Sequence, residues 1–173
     1  PHTYHYAVYG CSAGGACEAS GDATTLTPTL TECLAGGGYT FFWRHASADV
    51  CTDNLSLGTA ATTSSPDWWR SCDASCGTAT ARQLNATGVS ESESIGQDLD
   101  ALGVPFGAVL SSEFCRAQQT ASLMDLGPTI EDSEELTYFV YDEASRCADS
   151  YALLSTAPAA GTNTALVSHA GFT

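Results

Sequence analysis

Tyr39-Thr-Phe-Phe-Trp-Arg-His-Ala-Ser47 is a short, nearly continuous apolar run that ends abruptly in a guanidinium and an imidazole. A run this short without alternation is the pattern of a strand buried on both faces of a parallel sheet. Two further runs repeat it, Phe106-Gly-Ala-Val-Leu110 and Thr164-Ala-Leu-Val-Ser168. Between them the periodicity becomes helical. Residues 80–102 carry Leu84, Ile95, Leu99 and Leu102 and are closed by Gly103. Residues 113–125 place Phe114, Ala117, Ala121 and Met124 on one side. An acidic extended stretch, Thr129 to Val140, leads to a helix expected at 142–155. Strands alternating with helices imply a doubly wound α/β sheet, mostly parallel and covered on both faces as a three-layer sandwich. In such sheets ligands bind beyond the carboxyl ends of the strands.

Each of the three runs delivers polar chemistry where it ends. The first gives Arg44-His45, the second leads through Ser111-Ser112 to Arg116, and the third gives His169 followed by Ala170-Gly171. Guanidinium forks match phosphate oxygens bidentately and stay charged. An imidazole can attack phosphorus and split one hard step into two through a covalent intermediate. A second imidazole and the arginines can stabilise the charge spread over the equatorial oxygens. This chemistry requires no metal and no cofactor, and no metal-ligand set is evident. His2 and His5 fall in an N-terminal strand-like segment, His2 to Tyr9, and are expected to be packing residues.

Four ordered segments resemble the histidine phosphatase superfamily, the phosphoglycerate mutase-like group. Phe42-Trp-Arg-His-Ala is similar to its Arg-His-Gly/Ala signature. Ala81-Arg-Gln-Leu-Asn-Ala-Thr-Gly88 with Ile95-Gly96 resembles its R-x-L-(S/T)-x-x-G … IG segment. Ser111-Ser-Glu-Phe-Cys-Arg-Ala-Gln-Gln-Thr-Ala121 resembles SS-x-x-x-R-x-x-x-TA, and Val167-Ser-His-Ala-Gly171 the final V-x-H-G. The resemblance spans roughly 38–171. It implies His45 as nucleophile, with Arg44, Arg116 and His169 binding the phosphoryl group. It implies that Arg82 orients structure; Arg70 and Arg146 receive no role. The family's acid, which protonates the leaving group, has no clear counterpart here: Glu135, Glu134, Glu143 and Glu113 are the candidates. Family members usually continue beyond the last motif, whereas this sequence ends at Thr173. The N-terminal strand is therefore expected to fill a sheet edge, in its own chain or in a neighbouring subunit.

At 173 residues the chain suits one domain with a real core. Residues 1–37 read as an N-terminal strand with a Cys-rich extension, and 38–173 as the histidine phosphatase-like domain. Residues 48–80, rich in Ser, Thr, Asp and Cys, read as a long decorated loop. Twenty acidic residues against five basic ones, all Arg, give a net charge of −15. That balance argues against nucleic acid and anionic membranes, because a phosphate backbone needs basic patches. No stretch approaches the roughly 18–20 apolar residues that span a bilayer. The eight cysteines suit a disulfide framework in an extracellular or periplasmic space better than a zinc site at Cys72 and Cys76. Expected pairs are Cys11–Cys17, Cys51 with Cys72 or Cys76, and Cys115–Cys147. Asn54-Leu-Ser and Asn85-Ala-Thr are glycosylation sequons that lean the same way. The function expected is secreted phosphomonoester hydrolysis, with a phosphate-bearing small molecule as substrate. The alternative is an extracellular subunit that polymerises by exchanging N-terminal strands and has little or no catalysis.

Overall fold

The computed structural model describes residues 7–9, 29–137, 139–141 and 144–169, with 7–9 and Arg146 described as backbone. The element order is β1 (Ala7–Tyr9), α1 (Leu30–Ala35), β2 (Thr40–Arg44), α2 (Ala86–Ala101), β3 (Phe106–Ser111), α3 (Cys115–Met124), β4 (Ile130–Asp132), α4 (Arg146–Ser155) and β5 (Asn163–Ser168). The sheet runs β1-β2-β5-β3-β4. Every neighbouring pair is parallel except β1 on β2. The three apolar runs are thus adjacent, with β5 at the centre.

The fold is α/β, a mostly parallel sheet flanked by helices. On β2, Phe41 and Trp43 face the main core, where Val109 and Val167 of the sheet meet Ala117, Ala121 and Met124 of α3. Thr40, one step out of phase, turns to the other face and donates to the Thr156 carbonyl just past α4. Along β5, Ala165, Leu166, Val167 and Ser168 are all buried, which requires cover on both faces.

Two glycines let α2 approach closely. A Cβ on Gly88 would stand 2.0 Å from the Ser47 carbonyl oxygen, and one on Gly96 would stand 1.9 Å from that of Met124. The first contact presses the start of α2 against the segment that follows His45. The second locks α2 to the end of α3.

Several expectations are corrected. The helix expected from residue 80 begins at Ala86, with the Asn85 side chain accepting from the Gly88 N–H as its cap. Leu84 instead bridges to Ala48. Gly103, at φ +66°, ends the helix as expected. The stretch read as loop through Gly37 contains α1, started by a capping box between Thr29 and Glu32. The expected strand His2–Tyr9 is described only at Ala7–Tyr9, where it occupies a sheet edge within its own chain.

The long loop is not merely decoration. Trp68 and Trp69 are buried with Ala81, Phe114 and Val140 in a second core. Disulfides Cys51–Cys76 and Cys72–Cys115 staple it, the second directly beside Arg116. The expected Cys115–Cys147 bond is therefore wrong: Cys115 pairs across the sheet edge with the loop, and Cys147 is an exposed free thiol. Cys33 is also disulfide-bonded, while the expected Cys11–Cys17 pair lies outside the described residues. Among the described residues no helix is long and apolar enough to cross a membrane.

Candidate active site

Parallel register decides what meets at the carboxyl ends. Arg44 lies opposite Ser168, and Ser111 opposite Val167. The ladder continues one residue further: the His45 N–H donates to the Ser168 carbonyl and the Ser112 N–H to the Val167 carbonyl, both at 2.8 Å. His45 and His169 are thereby set side by side, their ring centroids 5.2 Å apart. The Phe114 ring backs the site, edge-on to His169 with centroids 5.0 Å apart and 4.5 Å beneath the Arg116 guanidinium.

Hydrogen bonds assign the two imidazole tautomers. His45 Nδ1 lies 2.8 Å from the Ala46 carbonyl oxygen, which can only accept, so Nδ1 carries the proton and Nε2 keeps its lone pair. His169 Nδ1 faces Arg116 Nη2 at 3.2 Å, a group that can only donate. Its proton is therefore on Nε2, 2.8 Å from Ser112 Oγ. Both rings are buried. Burial first, then the Arg116 charge, hold His45 down to about 3. The same two causes hold His169 well below the usual histidine range. Each imidazole is thus neutral at physiological pH, the state a nitrogen nucleophile needs.

A cavity of about 390 Å³ opens on these rings. Arg44, His45, Arg116 and His169 all line it, as do Arg82 and Asp53. Arg44 is exposed at the rim, whereas Arg116 is 3% exposed. Burial draws the Arg116 guanidinium down to about 10 against the pull of Asp53, which leaves it charged at neutral pH. Arg116 Nη1 lies 3.0 Å from Asp53 Oδ2 and Arg82 Nε 3.6 Å from the same oxygen. The Arg82 backbone N–H also donates to Asp53 Oδ1 at 2.8 Å.

Two buried N–H groups, Nε of Arg82 and Nε of Arg116, make no hydrogen bond among the described residues. A buried donor left unmet costs about 1–3 kcal/mol. Three guanidiniums and one carboxylate line this cavity in a protein of net charge −15, which makes it a local positive field. An anion with several acceptor oxygens fits it.

Arg82, expected to orient structure, donates from Nη1 to the Asp49 carbonyl at 3.3 Å and also lines the cavity. Asp53 was not anticipated at all. Of the acid candidates, Glu113 does not line the cavity. Its carboxylate accepts from Trp69 Nε1 at 2.7 Å, from the Tyr141 hydroxyl at 2.6 Å and from Arg70. Glu134 and Glu135 are exposed outside the cavity lining, and Glu143 lies outside the described residues. Asp53 is the one carboxyl lining the cavity among the described residues, and it serves there as an acceptor. Arg70 joins Glu113 to Asp132, a structural tie between the loop core and β4. Among the described residues no group of three or more His, Cys, Asp or Glu is placed to hold a metal ion.

No family model and no curated protein matches the chain. Solved structures are similar to it. One is described as the protein histidine phosphatase SixA complexed with tungstate, at 23% identity and a TM-score of 0.49, covering 77% of this chain and 70% of that one. Another is the alpha-ribazole phosphatase from Shigella flexneri, at 19% identity and a TM-score of 0.45, covering 77% and 74%.

Proposed function

We propose that this protein is a phosphomonoesterase that works through a phosphohistidine at His45. The observation that carries it is the His45 tautomer: Nδ1 is committed to the Ala46 carbonyl, leaving an unprotonated Nε2 on a buried ring, and that ring lines a cavity with three guanidiniums. In the first step the Nε2 lone pair forms the N–P bond as the ester P–O bond breaks. The equatorial oxygens take hydrogen bonds from Arg44, Arg82 and Arg116. The leaving oxygen departs with the bonding pair and takes up a proton. In the second step water attacks phosphorus, the N–P bond breaks, and inorganic phosphate leaves.

The expected acid candidates that are described stand away from the cavity, so departure depends on the leaving group's own acidity. Aryl phosphates therefore turn over faster than alkyl phosphates. The test is hydrolysis of p-nitrophenyl phosphate by the wild type and by His45→Ala. Turnover by the wild type that drops by 10³-fold or more in the variant supports the proposal; equal rates refute it. A secreted location is part of the proposal, supported by the two disulfides.

A further inference from the structure

A second cavity of about 500 Å³ adjoins the first and shares Arg44, His45 and Arg82 with it. A phosphoryl group seated on the arginines would direct its ester substituent into this space. Trp43, Ile95 and Met124 give its lining apolar character, and Glu91, one helical turn before Ile95 on α2, adds a carboxylate. Glu91 is half-buried and accepts from the Ser47 N–H at 2.9 Å and the Ser47 hydroxyl at 3.1 Å. Each carboxylate oxygen has two acceptor sites, so those bonds hold Glu91 in place and leave capacity on both oxygens. No cation forms an ion pair with it among the described residues. The cavity's other charges are the two shared guanidiniums, so once a phosphoryl group occupies those the charge left to be met is that of Glu91, beside apolar lining.

We propose that this cavity binds the leaving group, and that the preferred substrate class is a phosphomonoester whose leaving group joins an apolar body to a cationic amine. The proposal rests on the phosphatase function above. The apolar body lies on Trp43, Ile95 and Met124, and the ammonium donates to Glu91. The phosphoryl end is held by the shared arginines.

Three probes of one size separate these elements: O-phosphotyramine, 4-ethylphenyl phosphate and 3-(4-phosphooxyphenyl)propanoate, which differ in the charge of the tail. The expected order in kcat/KM is amine, then neutral, then carboxylate. The amine should lead the neutral probe by about fivefold, as one partly screened ion pair gives. In Glu91→Gln the amine-to-neutral ratio falls to about one. Equal values for the amine and neutral probes in the wild type, or an unchanged ratio in Glu91→Gln, overturn the proposal. Calorimetry on His45→Asn reads the same preference as a ratio of Kd values without turnover. An amine preference there, with no hydrolysis of phenyl phosphate by the wild type, would refute the phosphatase function and keep the subsite. Hydrolysis of phenyl phosphate with no preference in either assay would do the reverse.

Discussion

Replacing His45 by Asn removes one titrating ring, and the effect on stability against pH can be worked out from its surroundings. The Asn amide keeps a donor near the position of Nδ1, so the bond to the Ala46 carbonyl survives. In the folded protein, burial and then Arg116 hold His45 down to about 3, against about 6.5 in an unfolded chain. Above pH 6.5 neither state is protonated and the ring has no effect on the pH dependence. As the pH falls from 6.5 toward 3, the unfolded chain takes up a proton that the folded protein refuses, and stability is lost. Below about 3 both states are protonated and the loss levels off. At about 1.4 kcal/mol per pH unit, His45 costs roughly 2.5 kcal/mol between pH 6.5 and 4.5, and about 5 kcal/mol in all. Guanidinium chloride unfolding in phosphate-free buffer at pH 7.5, 6.5 and 4.5 measures it. The wild type should lose about 2.5 kcal/mol more than His45→Asn between the last two. Parallel pH profiles for the two proteins would show that His45 is not a buried neutral base, and the nucleophile assignment would lose its footing.

Other outcomes follow from particular contacts. Asp53→Asn deprives Arg116 and Arg82 of their shared carboxylate. In phosphate-free buffer it should cost about 1–3 kcal/mol, and added inorganic phosphate should raise its Tm more than that of the wild type. Trp68→Ala empties a site that is 1% exposed and should cost about 3–5 kcal/mol in denaturant unfolding. The Cys72→Ser/Cys115→Ser double variant opens a bridge with a sequence separation of 43. Loop entropy puts its cost at about 4 kcal/mol, measured against the wild type under non-reducing conditions. Dialysis against EDTA should leave kcat/KM for p-nitrophenyl phosphate unchanged; loss restored by a divalent ion would contradict the metal-free mechanism.

The strands and the ring pair were legible because both depend on local pattern. Apolar runs of strand length mark β2, β3 and β5, and polar residues at their ends must reach the carboxyl edge whatever the loops do. That logic reaches His45 and His169, and Arg116 at the second position of α3. It cannot reach Asp53, which meets Arg116 across 63 positions of chain from a segment without periodicity. The strand-end rule likewise says nothing of Arg82, which arrives at the cavity by a loop. Scarcity was a usable signal, because a protein with five basic residues rarely spends one idly. The Trp68-Trp69 pair was a signal of a second core that the reading of 48–80 as a loop passed over, and Thr29-Leu-Thr-Glu32 was likewise a missed capping-box signal for α1. Cysteine pairing was legible only in part: Cys51–Cys76 is one of the two expected alternatives, whereas Cys115 finds Cys72 because the loop core packs against the start of α3, a relation that sequence spacing does not encode.

The most direct test of a phosphohistidine at His45 is to trap it. The wild type mixed with p-nitrophenyl phosphate, quenched in alkali within its first turnovers and digested, should give one peptide carrying a phosphoryl group on His45. The modification should be lost on brief acid treatment and absent from His45→Asn. Sustained turnover with no phosphoryl group on His45, or the modification at another residue, would contradict the account.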